Sequence, residues 1–316
     1  MTTTLASAPA RGPAPAPVVV VGGANLDLLA TCDTPARLGD SNPGRLHSSP
    51  GGVARNIAQR LAELGRPVRL LAALGDDDAG RELQAHGEAA GVQMDGCVRC
   101  PGERTARYLA LHQPDGELLV AVNDMAVTAA LTPERLAAEQ AALHAAPAVV
   151  LETNLEPATL AALWALPVPL WADPVSVAKC ERLRGGLARL HTVKPDRAEA
   201  LQLSGLPADT PDADLAAWFH HQGVQQVALS LGPQGLLLSR RAADGGLWQH
   251  RQAALNVAVR SVNGAGDALL AGLLHAQLQG LDGPAAAAFA VACAARALTG
   301  QPLHIRAGTG LATMPA

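Results

Sequence analysis

The sequence predicts an α/β fold with a doubly wound, mainly parallel sheet flanked by helices, and a small β lid. Short apolar runs bounded by Gly, Pro or Asp recur along the chain, as strands do. Helical patterns lie between most of these runs, and such alternation is typical of parallel sheets with crossover helices. Two turn-rich stretches break the alternation and predict the lid. In sheets of this kind, ligands bind outside the carboxyl ends of the strands.

Each predicted strand is four to eight residues of mostly apolar sequence that ends in a turn residue. In chain order they are VVVVGG from Val18, VRLLAALG from Val68, AVVLETN from Ala148, VPLWADP from Val168, HTVKP from His191 and VALSLG from Val227. The predicted helices include VARNIAQRLAELG from Val53, TPERLAAEQAALHAA from Thr132 and DADLAAWFHHQG from Asp212. Thr132 precedes Pro133, an arrangement that favours a helix start.

The lid is predicted from two segments, residues 31–50 and 104–122. The first is polar and rich in turn residues, and the second alternates like a hairpin around Pro114, Asp115 and Gly116. Residues 1–16 are rich in Ala and Pro and predict a disordered tail, which leaves residues 17–316 for the folded domain.

Composition restricts the partners. The chain has 316 residues and a formal net charge of −4, and its Lys and Arg residues are scattered, so no patch for nucleic acid is predicted. The longest apolar run, residues 285–295, is shorter than the roughly 20 residues of a membrane span. No secretory signal is recognisable, and the five cysteines fit a reducing compartment. We therefore expect a cytoplasmic protein that binds small molecules.

Polar residues follow most of the predicted strands. They are Asn25, Asp27, Asp76 to Asp78, Glu152, Asn154, Asp173, Asp196 and Ser230. Acceptors and amides without a basic cluster suit a polyhydroxylated ligand such as a sugar. Asp27 is the first candidate to hold its hydroxyl groups. The alternative is that Asp27 only bonds to its own backbone in an Asx turn.

The stretch PGGVARNIAQ, residues 50–59, places Gly51 and Gly52 directly before a helix and Asn56 in its first turns. Glycines there allow a ligand to approach the backbone, and Asn56 can bond to a hydroxyl group; a plain turn into a helix is the alternative. The chain has no G-x-x-x-x-G-K-[ST] motif, and no G-x-G-x-x-G follows its first strand. These absences disfavour a P-loop and a dinucleotide enzyme.

The stretch SVNGAGDALLAGLL, residues 261–274, has two interpretations. In the first, Asp267 caps the following helix while the glycines allow a sharp turn. In the second, Gly264, Ala265 and Gly266 expose the backbone N–H groups of a helix N-terminus to an anion, and Asp267 is a base beside it.

Together these motifs resemble the ribokinase-like (PfkB) family of sugar and nucleoside kinases, over almost the whole chain after the tail. GANLD and PGGVARN match the N-terminal pattern of the family, and NGAGDALLAG matches its C-terminal pattern. Within the family, the chain is most similar to the pseudouridine kinases. That similarity is carried by DSNPG, PGGVARNIAQ, LVAVNDM, DPVSVAK and HTVKPDRAEA.

The resemblance implies phosphorylation of the 5′-hydroxyl of a ribonucleoside, most simply pseudouridine, by ATP and Mg²⁺. Asp267 is then the base, and the amides of Gly264, Ala265 and Gly266 stabilise the transferred group. The ribose site comprises Asn25, Asp27, Gly51, Gly52, Asn56 and Asn154, and Asn154 stands where ribokinases have glutamate. For the uracil edge, the resemblance implies Ser41, Asn42 and Asn123.

For the nucleotide, the resemblance implies Asp196, Ser230, Gly232, Gly235 and Asn263, with Glu199 holding Mg²⁺. Relatives that bind a monovalent cation have an aspartate where this chain has Ser261, so potassium activation is not assumed. A homodimer through the lid is a further expectation. The alternatives are a kinase for adenosine, inosine or ribose, and a catalytically silent nucleoside-binding protein. A dehydrogenase is disfavoured.

Overall fold

The structure is a computed structural model, and it describes residues 15–242 and 244–303. The predicted disordered tail lies outside these residues except for its last two positions. The last thirteen residues of the predicted domain also lie outside them. Within the described part of the chain, no helix is long and apolar enough to cross a bilayer.

The strands alternate with helices as predicted, and both are numbered in chain order. The strands are β1 (Val18–Val21), β2 (Asn25–Cys32), β3 (Gly44–Gly51), β4 (Val68–Leu71), β5 (Ala73–Gly75), β6 (Val98–Cys100), β7 (Arg107–His112), β8 (Leu118–Asp124), β9 (Val149–Glu152), β10 (Leu170–Asp173), β11 (Leu190–Val193), β12 (Gln226–Ser230), β13 (Leu236–Arg241) and β14 (Leu247–Gln252). The α-helices are α1 (Val53–Glu63), α2 (Asp78–Ala89), α3 (Pro133–Ala138), α4 (Gln140–Ala145), α5 (Pro157–Trp164), α6 (Arg197–Ser204), α7 (Asp212–His221), α8 (Ala265–Leu278) and α9 (Gly283–Leu298). Short 3₁₀ segments lie at Ala126–Ala130, Cys180–Arg189 and Gly232–Gln234.

The main sheet has the order β14-β13-β12-β11-β10-β9-β1-β4. It is parallel from β4 to β12, and β13 and β14 extend it in antiparallel fashion. The four valines of β1 are buried and alternate between two cores, since Val18 and Val20 pack on one face and Val19 and Val21 on the other. Residues of α1, α8 and α9 fill the first core, and residues of α3 to α7 fill the second. The predicted doubly wound α/β fold is confirmed.

The lid is a second sheet with the order β3-β2-β7-β8. β7 and β8 form the predicted hairpin around residues 113–117, and β2 lies between β3 and β7. Only Gly22, Gly23 and Ala24 separate the end of β1 from the start of β2. The lid therefore begins at residue 25, earlier than the segment boundary at residue 31, and rises directly from the edge of the main sheet.

Two predicted elements are divided. The run from Val68 forms β4 and then β5, because β5 leaves the main sheet and pairs with β6. The helix predicted from Thr132 is split into α3 and α4 at Glu139, whose carboxylate pairs with Arg69 at 2.9 Å. Thr132 caps α3 as predicted, since its hydroxyl accepts a hydrogen bond from the Arg135 amide.

Candidate active site

The carboxyl ends of β1, β9, β10 and β11 meet at one edge of the main sheet, because these strands are parallel neighbours. Two helices and one lid strand reach this edge. The N-termini of α1 and α8 meet there through a hydrogen bond between Asn56 and Asp267. The lid strand β2 starts from the same edge.

Asp267 lies in the first turn of α8 and is buried. The helix begins after Gly264, which adopts the left-handed conformation (φ 77°) and provides no side-chain cap. The Oδ2 atom of Asp267 instead accepts a hydrogen bond from Nδ2 of Asn56 at 2.7 Å. The bond joins the two motifs that the sequence singled out, and the geometry does not support the interpretation of Asp267 as a helix cap.

The pKa of Asp267 is raised to about 7, mainly by burial and also by the nearby charge of Asp173. The hydrogen bond from Asn56 and the charges of Lys194 and Arg55 act in the opposite direction. A carboxylate whose pKa is close to neutral can both accept and release a proton at physiological pH. This property suits a general base.

Lys194 is a buried cation behind the first turn of α8. Its Nζ atom lies 3.1 Å from Oδ2 of Asp173, and both side chains are almost fully buried. A Cβ atom at Gly266 would lie only 3.2 Å from the same Nζ atom. Although burial lowers the pKa of Lys194, the charges of Asp173 and Glu199 outweigh burial and raise it. Lys194 is therefore a fixed positive charge next to the helix N-terminus.

The first turn of α8 is made of small residues, since Gly264, Ala265 and Gly266 precede Asp267. The first N–H groups of a helix have no acceptor within the helix. They point along the helix axis with the positive end of its dipole, which makes such a turn suitable for an anion. With Lys194 behind it, this turn of α8 can stabilise negative charge that gathers beside Asp267.

The lid contributes Asn25 and Asp27 from the start of β2. Nδ2 of Asn25 donates to Oδ1 of Asp27 at 2.6 Å, and Asp27 lies opposite Ser49 of β3 and Tyr108 of β7. A Cβ atom at Gly51 would overlap the Asp27 carboxylate. Burial raises the pKa of Asp27, and the bond from Asn25 and the charge of Arg55 oppose this effect. Asp27 therefore lies within a strand with its carboxylate bonded to a neighbouring side chain, which does not fit an Asx turn.

Gly52 connects the lid to α1 in a conformation that requires glycine. Its φ is 99°, and a Cβ atom there would lie 2.5 Å from the carbonyl oxygen of Gly23. The amide of Arg55 also donates to this carbonyl at 3.3 Å. The two glycine motifs therefore pack backbone against backbone at the edge of the sheet.

Asn154 is held in a chain of buried polar groups. Its amide nitrogen Nδ2 donates to Oε2 of Glu152 at 2.7 Å, and Lys179 donates to its Oδ1. The Gly23 amide donates to the other oxygen of Glu152 at 2.5 Å. Burial raises the pKa of Glu152 to about 7, although the amides of Asn154 and Gly23 lower it. The Asn154 side chain is thus fixed beside the first glycine turn.

Four of the five predicted nucleotide residues, Asp196, Ser230, Gly232 and Gly235, lie at or just after the ends of β11 and β12. Asp196, Ser230 and Gly232 line a cavity of about 830 Å³ together with residues of the α6–α7 loop. The hydroxyl of Ser230 donates to the carbonyl of Pro195 at 3.2 Å. Gly235 has φ 95°, and a Cβ atom there would overlap the Gln252 carbonyl. Asn263 is exposed and does not line this cavity.

Residues 16–301 match the pfkB family carbohydrate kinases. The chain belongs to the pfkB family of carbohydrate kinases. The predicted family is therefore confirmed, and so is the enzyme class, a phosphotransferase that acts on an alcohol group.

Two curated relatives of this carbohydrate kinase come from Escherichia coli K12. One is described as pseudouridine kinase and is 39% identical over 288 residues, which are 89% of this chain and 90% of the relative. The other is described as the uncharacterized sugar kinase YeiI and is 38% identical over 88% of this chain and 76% of the relative.

Solved structures share the fold of this carbohydrate kinase. A carbohydrate kinase from Agrobacterium tumefaciens has a TM-score of 0.75 and 29% identity, covering 89% of this chain and 90% of the other. Arabidopsis thaliana ribokinase, solved with ribose and ATP, has a TM-score of 0.80 and 23% identity, covering 90% and 93% of the two chains. The ribokinase-like fold is confirmed.

In this carbohydrate kinase, the predicted uracil contacts are not equivalent. Ser41 and Asn42 lie in the exposed loop between β2 and β3, where Oδ1 of Asn42 accepts from the Arg37 amide at 2.8 Å and Nδ2 donates to the Arg37 carbonyl at 3.0 Å. Asn123 lies opposite Tyr108 in the lid, in line with Asp27 and on the same face of the sheet. Asn42 is already bonded within its own loop, whereas Asn123 faces the same side as the ribose residues.

Three charged residues of the site were not predicted from the sequence, namely Arg55, Lys179 and Lys194. All three stand inside the motifs that carried the resemblance: Arg55 in PGGVARN, Lys179 in DPVSVAK and Lys194 in HTVKPDRAEA. A basic residue in a motif that otherwise supplies acceptors and glycines was the available signal. Only the fold shows that the three side chains turn inward.

The residues at the start of α6 fit a magnesium ion. Glu199 is buried, and its Oε2 accepts from the Asp196 amide at 2.8 Å while its other oxygen takes no part in that bond. Burial raises the pKa of Glu199 to about 7. Among the described residues there is no cluster of three or more His, Cys, Asp or Glu side chains that forms a metal cage. A site with one carboxylate is usual for Mg²⁺, which keeps water and phosphate oxygens as its other ligands.

The position of the family's monovalent cation ligand is occupied by a hydroxyl group. Ser261 is exposed, and its Oγ accepts from the Asn263 amide at 3.2 Å. A neutral hydroxyl that is already bonded holds a cation far less well than a carboxylate does. The local chemistry at residue 261 therefore does not fit a potassium site built on this side chain.

Proposed function

We propose that this carbohydrate kinase transfers the γ-phosphoryl group of ATP to the 5′-hydroxyl of a ribonucleoside, and that the nucleoside is pseudouridine. The observation that carries the proposal is the 2.7 Å hydrogen bond between Asn56 and Asp267. It joins Asn56 of α1 to a buried carboxylate in the first turn of α8 whose pKa is raised to about 7, which suits a general base. The relative described as pseudouridine kinase, at 39% identity over most of both chains, supports the choice of nucleoside.

In this mechanism Asp267 accepts the proton of the 5′-hydroxyl group. At the same time, the 5′-oxygen of the nucleoside forms a bond to the γ-phosphorus. The bond from that phosphorus to the bridging oxygen breaks, and ADP leaves with the electron pair. The amides of Gly264, Ala265 and Gly266 and the cation of Lys194 stabilise the charge on the three equatorial oxygens. A positioned general base contributes about 10²- to 10⁴-fold to the rate.

The ribose is assigned to the residues around β2 and the start of α1. The Asp27 carboxylate can accept hydrogen bonds from two hydroxyl groups, and Asn25 fixes its orientation. The Asn56 amide is bonded to Asp267, so it can contact the end of the ribose that carries the 5′-hydroxyl. Gly51 leaves room for the Asp27 carboxylate and Gly52 for the Gly23 backbone, because a Cβ atom at either position would overlap these groups.

We assign ATP to the ends of β11 and β12, where Asp196, Ser230, Gly232 and Gly235 lie, with Asn263 on the loop before α8. The Arabidopsis ribokinase solved with ribose and ATP has the same fold, which supports ATP as the donor. Glu199 would hold Mg²⁺, which neutralises the phosphate charge when bound. ATP and reduced thiols both fit a cytoplasmic location.

We assign recognition of the nucleobase to the lid. Pseudouridine has a ring N–H that uridine lacks, because ribose joins its uracil through carbon. An acceptor that bonds to this hydrogen is left unpaired with uridine, at a cost of roughly 1 to 3 kcal/mol. The side-chain oxygen of Asn123 is the candidate acceptor, because it lies on the lid face of Asp27.

A nucleoside panel tests the proposal. The full chain is mixed with ATP, Mg²⁺ and one of pseudouridine, uridine, adenosine, inosine or ribose, and ADP release is measured. The highest kcat/KM with pseudouridine is the expected result. Preference for another member of the panel would leave the kinase assignment and reject pseudouridine. No ADP release with any of them, while a nucleoside binds, would favour a silent nucleoside-binding protein.

The lid also supports a homodimer. The face of the lid sheet opposite Asp27 carries exposed apolar side chains, which are Leu46, Leu109, Val120 and Val122. A second copy that places the same face against this one would bury them symmetrically. Light scattering at increasing concentration measures the mass in solution, and Val122→Asp should shift the protein to monomer if this face forms the interface.

A further inference from the structure

Arg55 is a buried cation at the start of α1, one residue before Asn56. Its guanidinium contacts groups on several sides. Nε donates to the Gly51 carbonyl at 3.0 Å and Nη2 to the Pro50 carbonyl at 3.0 Å. Nη2 also donates to Oδ1 of Asn56, and Nη1 donates to Oε1 of Gln59 at 2.7 Å. One side chain thus connects the end of a lid strand with the first turns of α1.

The contact with Asn56 decides which way its amide faces. Because Arg55 donates to Oδ1, the Nδ2 end of the Asn56 amide is turned to Oδ2 of Asp267, to which it donates at 2.7 Å. The flipped amide would place its oxygen against the carboxylate and its NH₂ group against the guanidinium. Both contacts would then be repulsive. The orientation of Asn56 therefore depends on the donor from Arg55.

The contact with the lid lies at the end of β3. Pro50 and Gly51 are its last two residues, and a Cβ atom at Gly51 would overlap the Asp27 carboxylate. Their carbonyls have a single guanidinium as a common partner. Movement of this end of β3 would therefore change the position of the group that orients Asn56.

The positive charge of Arg55 interacts electrostatically with the carboxylates of Asp267 and Asp27. Burial lowers its pKa to about 10, and the charges of Asp267 and Asp27 oppose this effect, so the side chain is a cation at neutral pH. In turn, Arg55 lowers the pKa of Asp267 and of Asp27. The other groups that face Asp267 are Asp173 of β10 and Lys194 after β11, and His86 of α2 contacts the guanidinium.

We propose that Arg55 is a positioning residue that orients the Asn56 amide toward Asp267 and links the end of lid strand β3 to the basicity of that carboxylate. The proposal rests on the proposed function in one respect, namely that Asp267 is the base. The link itself is a property of the protein without ligands. It can therefore be measured separately from activity.

The experiment compares Arg55→Met and Arg55→Lys in the full chain. Arg60→Met is the matched control: it makes the same change five residues later on α1, at an arginine that pairs with Glu63 at 2.9 Å. The first measurement is the pH titration of the Asp267 carboxyl carbon by ¹³C NMR with labelled aspartate. Its signal is assigned by its disappearance in Asp267→Asn. The second is the pH profile of kcat and kcat/KM with the nucleoside that the parent prefers.

In Arg55→Met, the titration midpoint of Asp267 is expected to rise, since both a positive charge and an oriented donor are lost. A rise of about one pH unit would lower the deprotonated fraction at pH 7 about fivefold. The rising limb of the kcat profile should move by the same amount. Arg55→Lys keeps the charge and loses the forked donor geometry. Its midpoint should stay near that of the parent, while kcat falls and KM for the nucleoside rises.

The control should keep the parent midpoint, kcat and KM. A folded Arg55→Met with the midpoint and kcat of the parent would overturn the proposal. If Arg55→Met does not fold, Arg55→Lys decides, and unchanged kcat and KM in that variant would overturn it. Failure of the parent to phosphorylate any nucleoside would reject the proposed function instead. The NMR titration would still support or reject the link between Arg55 and Asp267.

Discussion

The Nδ2 atom of Asn56 lies 2.7 Å from Oδ2 of Asp267 and joins two residues that are 211 positions apart in the chain. Asn56 follows the first two lid strands, and Asp267 lies in the first turn of α8. The bond therefore joins a residue from the N-terminal part of the chain to one from the C-terminal part, and both belong to the proposed site. A substitution at either residue should affect the chemical step and the sugar site together.

Asp267→Asn should lower kcat about 10²- to 10⁴-fold, because the base is lost while the side chain keeps its shape. The new amide can still place its oxygen toward Nδ2 of Asn56, so the contact between the helices is kept. Steady-state kinetics with calorimetry of nucleoside binding measures the two effects separately. A variant that folds and keeps the parent kcat would show that Asp267 is not the base.

Gly51→Ala should weaken nucleoside binding, since the added methyl group would overlap the Asp27 carboxylate and displace it. KM for the nucleoside should rise, and KM for ATP should change little. Gly185→Ala is the control, because a Cβ atom there meets no other atom within 4 Å. Equal KM values for the nucleoside in both variants would argue against Asp27 as a ribose ligand.

Stability should depend on the protonation of Asp267. Its pKa is about 7 in the folded protein against 3.8 for the free side chain, so the folded state binds the proton more tightly. The stability that this group contributes is present below pH 3.8 and is lost as pH rises through about 7. Asn at this position does not titrate. Urea unfolding between pH 5 and pH 8 should therefore show the parent losing free energy of unfolding relative to Asp267→Asn, and parallel curves would contradict the raised pKa.

Asn123→Ala should narrow the preference for pseudouridine over uridine. The preference in the parent is expected to be about 10- to 100-fold in kcat/KM, from one acceptor that uridine leaves unpaired. Activity toward ribose should change less, because ribose has no base. Asn42→Ala is the comparison, since the Asn42 amide is bonded within its own loop. A parent enzyme with equal kcat/KM for the two nucleosides would reject this assignment and leave the kinase assignment intact.

The sequence predicted the α/β alternation because the strands of a parallel sheet are apolar on both faces, as the four valines of β1 are. It predicted Asn56 and Asp267 because motifs with glycine before a helix are local patterns. The division of the helix at Glu139 could not be predicted in this way. Its ion pair with Arg69 joins residues 70 positions apart, and a helical pattern contains no information on such a contact.

The basic residues of the site were missed for a related reason. Lys194 stands next to a proline, and Arg55 stands on an amphipathic helix, where long charged side chains usually reach solvent. Each is buried only because acceptors from other segments surround it. For Lys194 the partner is Asp173 of the neighbouring strand, and for Arg55 the partners include two carbonyls of the lid.

The order of the main sheet has a consequence for synthesis of the chain on the ribosome. β1 lies between β4 and β9, and β9 is made about 80 residues after β4. At about 5 to 20 residues per second, one edge of the VVVV strand lacks its partner for roughly 4 to 16 s. An uncharged strand of four valines with an open edge is a site for pairing between nascent chains. Slower translation between residues 72 and 148 should therefore lower the yield of native protein, whereas slower translation after β9 should affect it less.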